Sequence, residues 1–241
     1  MHWWWNGNIS SGGKKVIIHE GGKRLNKFIT ATEAASKIKD GMTIMVGGFL
    51  GIGSPPKILA ALAESGVKDL TLICNDTSFP DKTVGQLVVN KQFKKVIVSH
   101  IGTNPETGRQ MNAGETEVDL VPQGTLAERI RCGGFGLGGV LTPTGIGTEV
   151  ENEKERIKVN GQIYLLETPL KADIALICGT KVDKRGNIYY HGTARNFNPL
   201  MAMAAETVIV EAEEIVEVGE LDPNCVATPF NFIDYIVGGA E

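Results

Sequence analysis

The chain has 241 residues, 42% hydrophobic and 22% charged, with 24 Lys+Arg against 28 Asp+Glu for a formal net charge of −4. This is globular composition with enough chain for one α/β domain, or one and a half, to bury a full core without staples. The lack of a basic run or basic–aromatic stripe argues against nucleic acid as a partner, and no apolar stretch approaches the roughly 20 residues of a membrane span.

Residues 1–24 hold all three tryptophans and show no helical or strand period leading onward. They also lack the apolar h-region of a signal peptide. This segment reads as a non-native or disordered extension, leaving 25–241 as the folded domain. Glu20–Arg24 suits a purine-rich ribosome-binding sequence followed by a TTG start at Leu25; a tag or a disordered arm is the plainer alternative.

Thr30-Ala31-Thr32-Glu33 has capping-box spacing and opens a short helix that Asp40-Gly41 ends. The apolar run Met42–Val46 is a buried strand that breaks into Gly47-Gly48-Phe49-Leu50-Gly51-Ile52-Gly53-Ser54-Pro55-Pro56. The prolines suit the first turn of a helix over 57–64, closed by Gly66. The cycle then repeats. Strands are expected over 70–74, 95–99 and 117–121, and helices over 84–89, 107–112 and 126–131. Strands alternating with helices at this spacing mean right-handed βαβ units. The fold class is therefore α/β, an open, mostly parallel sheet with helices on both faces. The second half is more mixed. Asn160-Gly161 predicts a hairpin between 157–159 and 163–166. A strand over 173–178, a turn over 183–187, a strand over 188–190, a helix over 200–206 and a strand over 207–210 follow.

Ligands of an open α/β sheet bind outside the carboxyl ends of its strands. Four successive strands here run into polar or glycine-rich turns, beginning at Gly47, Asn75, His100 and Gln123. They should converge on one crevice. The turn from Gly47 can bring bare backbone to a ligand, with the next helix offering its N–H groups to an anion. Gly134, Gly136 and Gly139 spell G-x-G-x-x-G, but they follow a helix instead of a strand, so a dinucleotide site is rejected. That segment reads as a loop against the crevice or a partner. Gln123 can donate to an oxyanion, or be an ordinary surface glutamine. Asn75 and Asp76 line a site or cap a helix. His100 is a strand-end histidine, and Glu106 is a nucleophile or an acid serving a helix dipole. His191, Arg195, Asn196 and Asn198 form a polar cluster whose plain reading is capping. Cys74, Cys132, Cys178 and Cys225 are widely spaced, without zinc spacing, and read as reduced thiols of a cytoplasmic protein.

Three stretches together resemble the alpha subunits of family I coenzyme A transferases, over nearly the whole chain from Phe28 to Ile236. They are 40–55, with its Asp-Gly opening, apolar run and Gly-Gly-Phe loop, then 122–131 and 194–198. The match looks closest to the acetate or butyrate–acetoacetate branch. The resemblance implies that Gly47, Gly48, Phe49, Leu50, Gly51, Ile52 and Gly53 form the coenzyme A-associated loop. It also implies that Gln123 supports the thioester oxygen and that Asn75 lines the acyl site. No metal and no permanently bound cofactor are implied; coenzyme A thioester is the substrate. The family's catalytic glutamate lies in a Glu-Asn-Gly stretch of the beta part. Glu151-Asn152-Glu153 is the nearest string here, so the nucleophile is expected from a separate beta subunit in an α2β2 assembly or a multiple. The alternatives are a succinyl-CoA:3-oxoacid transferase subunit, a sugar-phosphate isomerase-like enzyme and a non-catalytic coenzyme A-binding module.

Overall fold

A computed structural model describes residues 27–238 except 153. The extension expected over 1–24 lies outside the described residues. A mostly parallel sheet of eight strands carries the molecule. It comprises β1 (Thr43–Val46), β2 (Leu70–Ile73), β3 (Phe93–Val98), β4 (Glu117–Leu120), β8 (Ala172–Asp183), β9 (Ile188–Tyr189), β10 (Ala205–Val216) and β11 (Tyr235–Val237). The order is β11-β10-β8-β1-β2-β3-β4, with β9 antiparallel beside β8. A smaller antiparallel sheet holds β5 (Val140–Thr142), β7 (Gln162–Glu167) and β6 (Arg156–Val159), in that order.

Helices α1 (Ala31–Ser36), α2 (Pro56–Glu64), α3 (Val84–Val89), α4 (Pro105–Asn112), α5 (Gln123–Phe135) and α6 (Asn198–Met203) cover the large sheet. Two apolar clusters result. One gathers Ile44, Val46, Leu72 and Val96 with Ile58, Leu62 and Leu87. The other gathers Met45, Ile73 and Ile97 with Leu126, Ile130 and Met201. Neighbouring residues of β1 and β2 fall into opposite clusters, as the period of two requires of a sheet buried on both faces.

The local signals act as their chemistry predicts. Thr30 and Glu33 form a reciprocal capping box at α1. Asn160 and Gly161 take φ values of 48° and 86° between β6 and β7, the two left-handed residues of a tight hairpin. Helix α6 ends earlier than its composition suggests. Met203 is its last residue, and Ala205 already pairs with Ala172 on the neighbouring strand. Sheet pairing overrides the helix preference there. Helix α5 is longer than expected, beginning at Gln123 itself and running to Phe135.

That length corrects the reading of the Gly134–Gly139 segment as a loop against the crevice. Gly134 is inside α5, and Gly136 is its left-handed cap at φ 69°. Twelve residues of helix separate it from Gln123, roughly 18 Å at 1.5 Å per residue. A Cβ on Gly134 would stand 2.8 Å from Met203 Cβ, so this glycine lets α5 approach α6. Among the described residues no helix is long and apolar enough to cross a membrane.

Candidate active site at the carboxyl edge of the sheet

Strands β1, β2, β3 and β4 are consecutive and parallel, so their trailing turns leave the sheet at one edge. A further parallel bridge joins Asp76 to His100 beyond the strands proper. All four sequence-predicted turns therefore meet, although Gln123 belongs to the first turn of α5 and not to the loop before it. His100 is exposed beside them.

A chain of hydrogen bonds connects these turns. The Leu50 N–H donates to Asp76 Oδ2 at 2.9 Å, and Asn75 Nδ2 donates to the same oxygen at 2.7 Å. Ser78 N–H donates to Asp76 Oδ1 at 2.8 Å. Asn75 Oδ1 accepts from Gln123 Nε2 at 2.7 Å and from Ser99 Oγ at 3.1 Å. Asn75 and Asp76 are buried, at 1% and 5% exposure, whereas Gln123 is exposed. Gln123 thus faces the cleft while Asn75 stands behind it. Pro122 gives α5 no side-chain cap, so the positive end of this helix and its first-turn N–H groups lie beside the Gln123 amide.

The glycine loop is a short hairpin. Phe49 and Ile52 exchange both backbone bonds, at 3.0 and 2.9 Å, around Leu50 (φ 49°) and Gly51 (φ 88°). A leucine in the left-handed region is strained, and the Asp76 contact holds it there. Phe49 and Ile52 stay exposed at the tip. The loop's base is clamped by Asn196 and Asn198, which precede and begin α6. Asn196 Oδ1 accepts from the Gly48 N–H at 3.1 Å, and its Nδ2 donates to the Ile52 carbonyl at 3.1 Å. Asn198 donates to the Gly53 and Ala194 carbonyls at 2.9 and 2.8 Å and accepts from the Cys178 N–H at 3.2 Å. A Cβ on Gly47 would sit 1.8 Å from Asn198 Oδ1, so only glycine fits. The polar cluster near residue 195 serves this loop more than it caps α6.

One expectation fails. The N-terminus of α2 is not open to an anion, because Glu211 occupies it. Its two carboxylate oxygens accept from the Lys57 and Ile58 N–H groups at 3.1 and 3.0 Å, while Pro55 and Pro56 have no N–H to offer. Burial pushes the Glu211 carboxyl above its ordinary 4.5 even against those two donors. The sequence did carry a sign of it, a lone acid in the apolar run Val208–Ala212.

Glu106, Glu115 and Glu151 are paired as well, while Glu213 is exposed with Cys178 Sγ at 3.9 Å. Glu106 accepts from Arg109 Nε and Nη2 at 2.9 and 2.8 Å, and Arg109 also grips Glu115. The Arg109 guanidinium holds both carboxyls down at about 2 from an ordinary 4.5. Both folded values are depressed, so this contribution to stability is present above pH 4.5 and lost as pH falls through about 2. The Tm advantage of the wild type over Arg109→Met should therefore shrink across that window; a constant difference would contradict the assignment. Glu151 pairs with Arg156 and accepts from Gly147 N–H at 2.8 Å. Cys178 is buried and its thiol is pushed up to about 12 by desolvation, which removes it as a thiolate nucleophile.

The strand edge thus gathers the glycine loop, the Asn75–Gln123 amide pair and the N-terminus of α5. Residues 28–239 match the family model described as Coenzyme A transferase, and the chain belongs to that family. It is 57% identical over 215 residues to the acetate CoA-transferase subunit alpha of Escherichia coli K12, covering 89% of this chain and 98% of that one. It is 54% identical over 212 residues to the acetoacetyl-CoA:acetate/butyrate CoA transferase alpha subunit of Clostridium acetobutylicum, covering 88% and 97%. Among solved structures, an acyl-CoA transferase of E. coli O157:H7 has the same fold, with a TM-score of 0.78 at 22% identity. The match covers 87% of this chain but 46% of that one, so this chain spans about half the length of that structure.

Proposed function

We propose that the chain is the alpha subunit of a hetero-oligomeric coenzyme A transferase, α2β2 or a multiple, working in the cytoplasm. It moves coenzyme A between a short-chain acyl-CoA and acetate, butyrate or acetoacetate. The observation that carries this reading is the hydrogen-bonded joining of the glycine loop to Gln123, through Asp76 and Asn75, at one strand edge. The names of the two relatives support the acyl class.

In the mechanism this arrangement suits, a glutamate of the beta subunit attacks the acyl-CoA carbonyl and expels coenzyme A as thiolate, leaving an acyl-glutamyl anhydride. The thiolate attacks the glutamyl carbonyl, releases the carboxylic acid and forms a glutamyl thioester; the acceptor acid then reverses both steps. Gln123 donates an N–H to the thioester oxygen as charge develops, and Asn75 fixes Gln123 from behind. The 47–53 loop lies along the carrier. Coenzyme A thioester enters as substrate, with no permanently bound cofactor.

The test is a panel of acids offered to the complex of this chain with its beta subunit and acetoacetyl-CoA. Acetate and butyrate should give kcat/KM at least ~10-fold above succinate, the low end of what a small change in pocket contacts discriminates. Preference for succinate would move the chain to the succinyl-CoA branch, and no transfer at all would remove the reading.

A further inference from the structure

Asn75 and Gln123 are both primary amides, and two amides can pair in either direction. Left to themselves, Gln123 could donate to Asn75 or accept from it. Ser99 Oγ, 3.1 Å from Asn75 Oδ1, also donates its one proton to the Asn75 backbone carbonyl at 2.8 Å, so it does not fix the amide's direction. Asp76 does settle it. Its carboxylate only accepts, and it faces three N–H donors: the Leu50 and Ser78 backbone and Asn75 Nδ2. Asn75 must turn its nitrogen to Asp76 and its oxygen to Gln123. Gln123 must then present Nε2, and amide planarity fixes where its second proton points.

We propose that Asp76 is a positioning residue that sets the direction of the Asn75–Gln123 pair and so keeps an N–H of Gln123, instead of its carbonyl, turned into the cleft. The same carboxylate holds the strained Leu50, which ties the loop's shape to the amide's direction. This rests on Gln123 being the oxyanion donor. Without Asp76 the pair reverses in part of the population, and a carbonyl oxygen then meets the developing negative charge.

The experiment compares Asp76→Ala and Asp76→Ala/Asn75→Asp in the assembled complex, with Gln123→Ala as control. Asp76→Ala should lower kcat by about ten-fold or more with KM for acyl-CoA changed much less. Adding Asn75→Asp puts an acceptor-only side chain back against Gln123 and should recover most of that kcat, although it restores neither the Leu50 nor the Ser78 bond. A structural defect alone would not respond in this way. Should Asp76→Ala fail to assemble, Asp76→Ser, whose hydroxyl donates as readily as it accepts and so leaves the amide pair undirected, should show the same loss of kcat. An unchanged kcat in Asp76→Ala, or in Asp76→Ser where that stands in for it, beside an impaired Gln123→Ala overturns the proposal and spares the Gln123 reading, as does a loss that Asn75→Asp leaves untouched. An unimpaired Gln123→Ala overturns both.

Discussion

Gln123→Ala should lower kcat by ~10²-fold or more while the complex assembles and melts as the wild type does. Gln123 is exposed at the first position of α5, its amide is fixed by a 2.7 Å bond to a buried asparagine, and one of its two protons is left over. A donor held in advance costs no reorganisation when charge appears on the thioester oxygen, so its loss falls on the transition state. Binding of the substrate is spread over the loop and the carrier's length, so KM should move little. The side chain contributes no core packing, which is why stability should be spared. Steady-state kinetics beside a thermal melt separate these quantities, and a near-normal kcat would remove Gln123 from the chemistry.

Much of this cleft was legible in the sequence because it depends on short-range rules. The apolar runs at Met42–Val46 and Leu70–Cys74 are too short for helices and end in turn residues, so strand, edge and turn follow together. The Asn160-Gly161 hairpin is legible for the same reason. What stayed hidden depends on partners far away in the chain. Glu211 reads as a misplaced acid until α2, 153 residues earlier, presents two N–H groups to it. Asn198 reads as a cap until Gly47 and Gly53 are found against it. Asp76 reads as a site lining or a helix cap; it accepts from the nearby Ser78 N–H, but its bond to Leu50 is tertiary. Sheet pairing likewise overrode local preference at Ala205, and the packing of α5 on α6 claimed Gly134, which had read as part of a loop against the crevice or a partner.

The central claim is that the cleft is completed by a second polypeptide carrying the nucleophile. No glutamate lies on the turns spanning 47–55, 74–83, 99–104 or 121–122. Glu213 lies past the end of β1 on β10, exposed with Cys178 Sγ at 3.9 Å, whereas three others are occupied: Glu106 with Arg109, Glu211 with the start of α2, and Glu151 with Arg156. Freeing any of them would cost its partners as well as the acid. The direct measurement is to give acetoacetyl-CoA, without an acceptor acid, to this chain alone and to its complex with the beta subunit, then to separate the chains and weigh each intact. The account predicts no product from the chain alone and a covalent coenzyme A adduct on the beta subunit only. An adduct on this chain, or turnover by it in isolation, would contradict it.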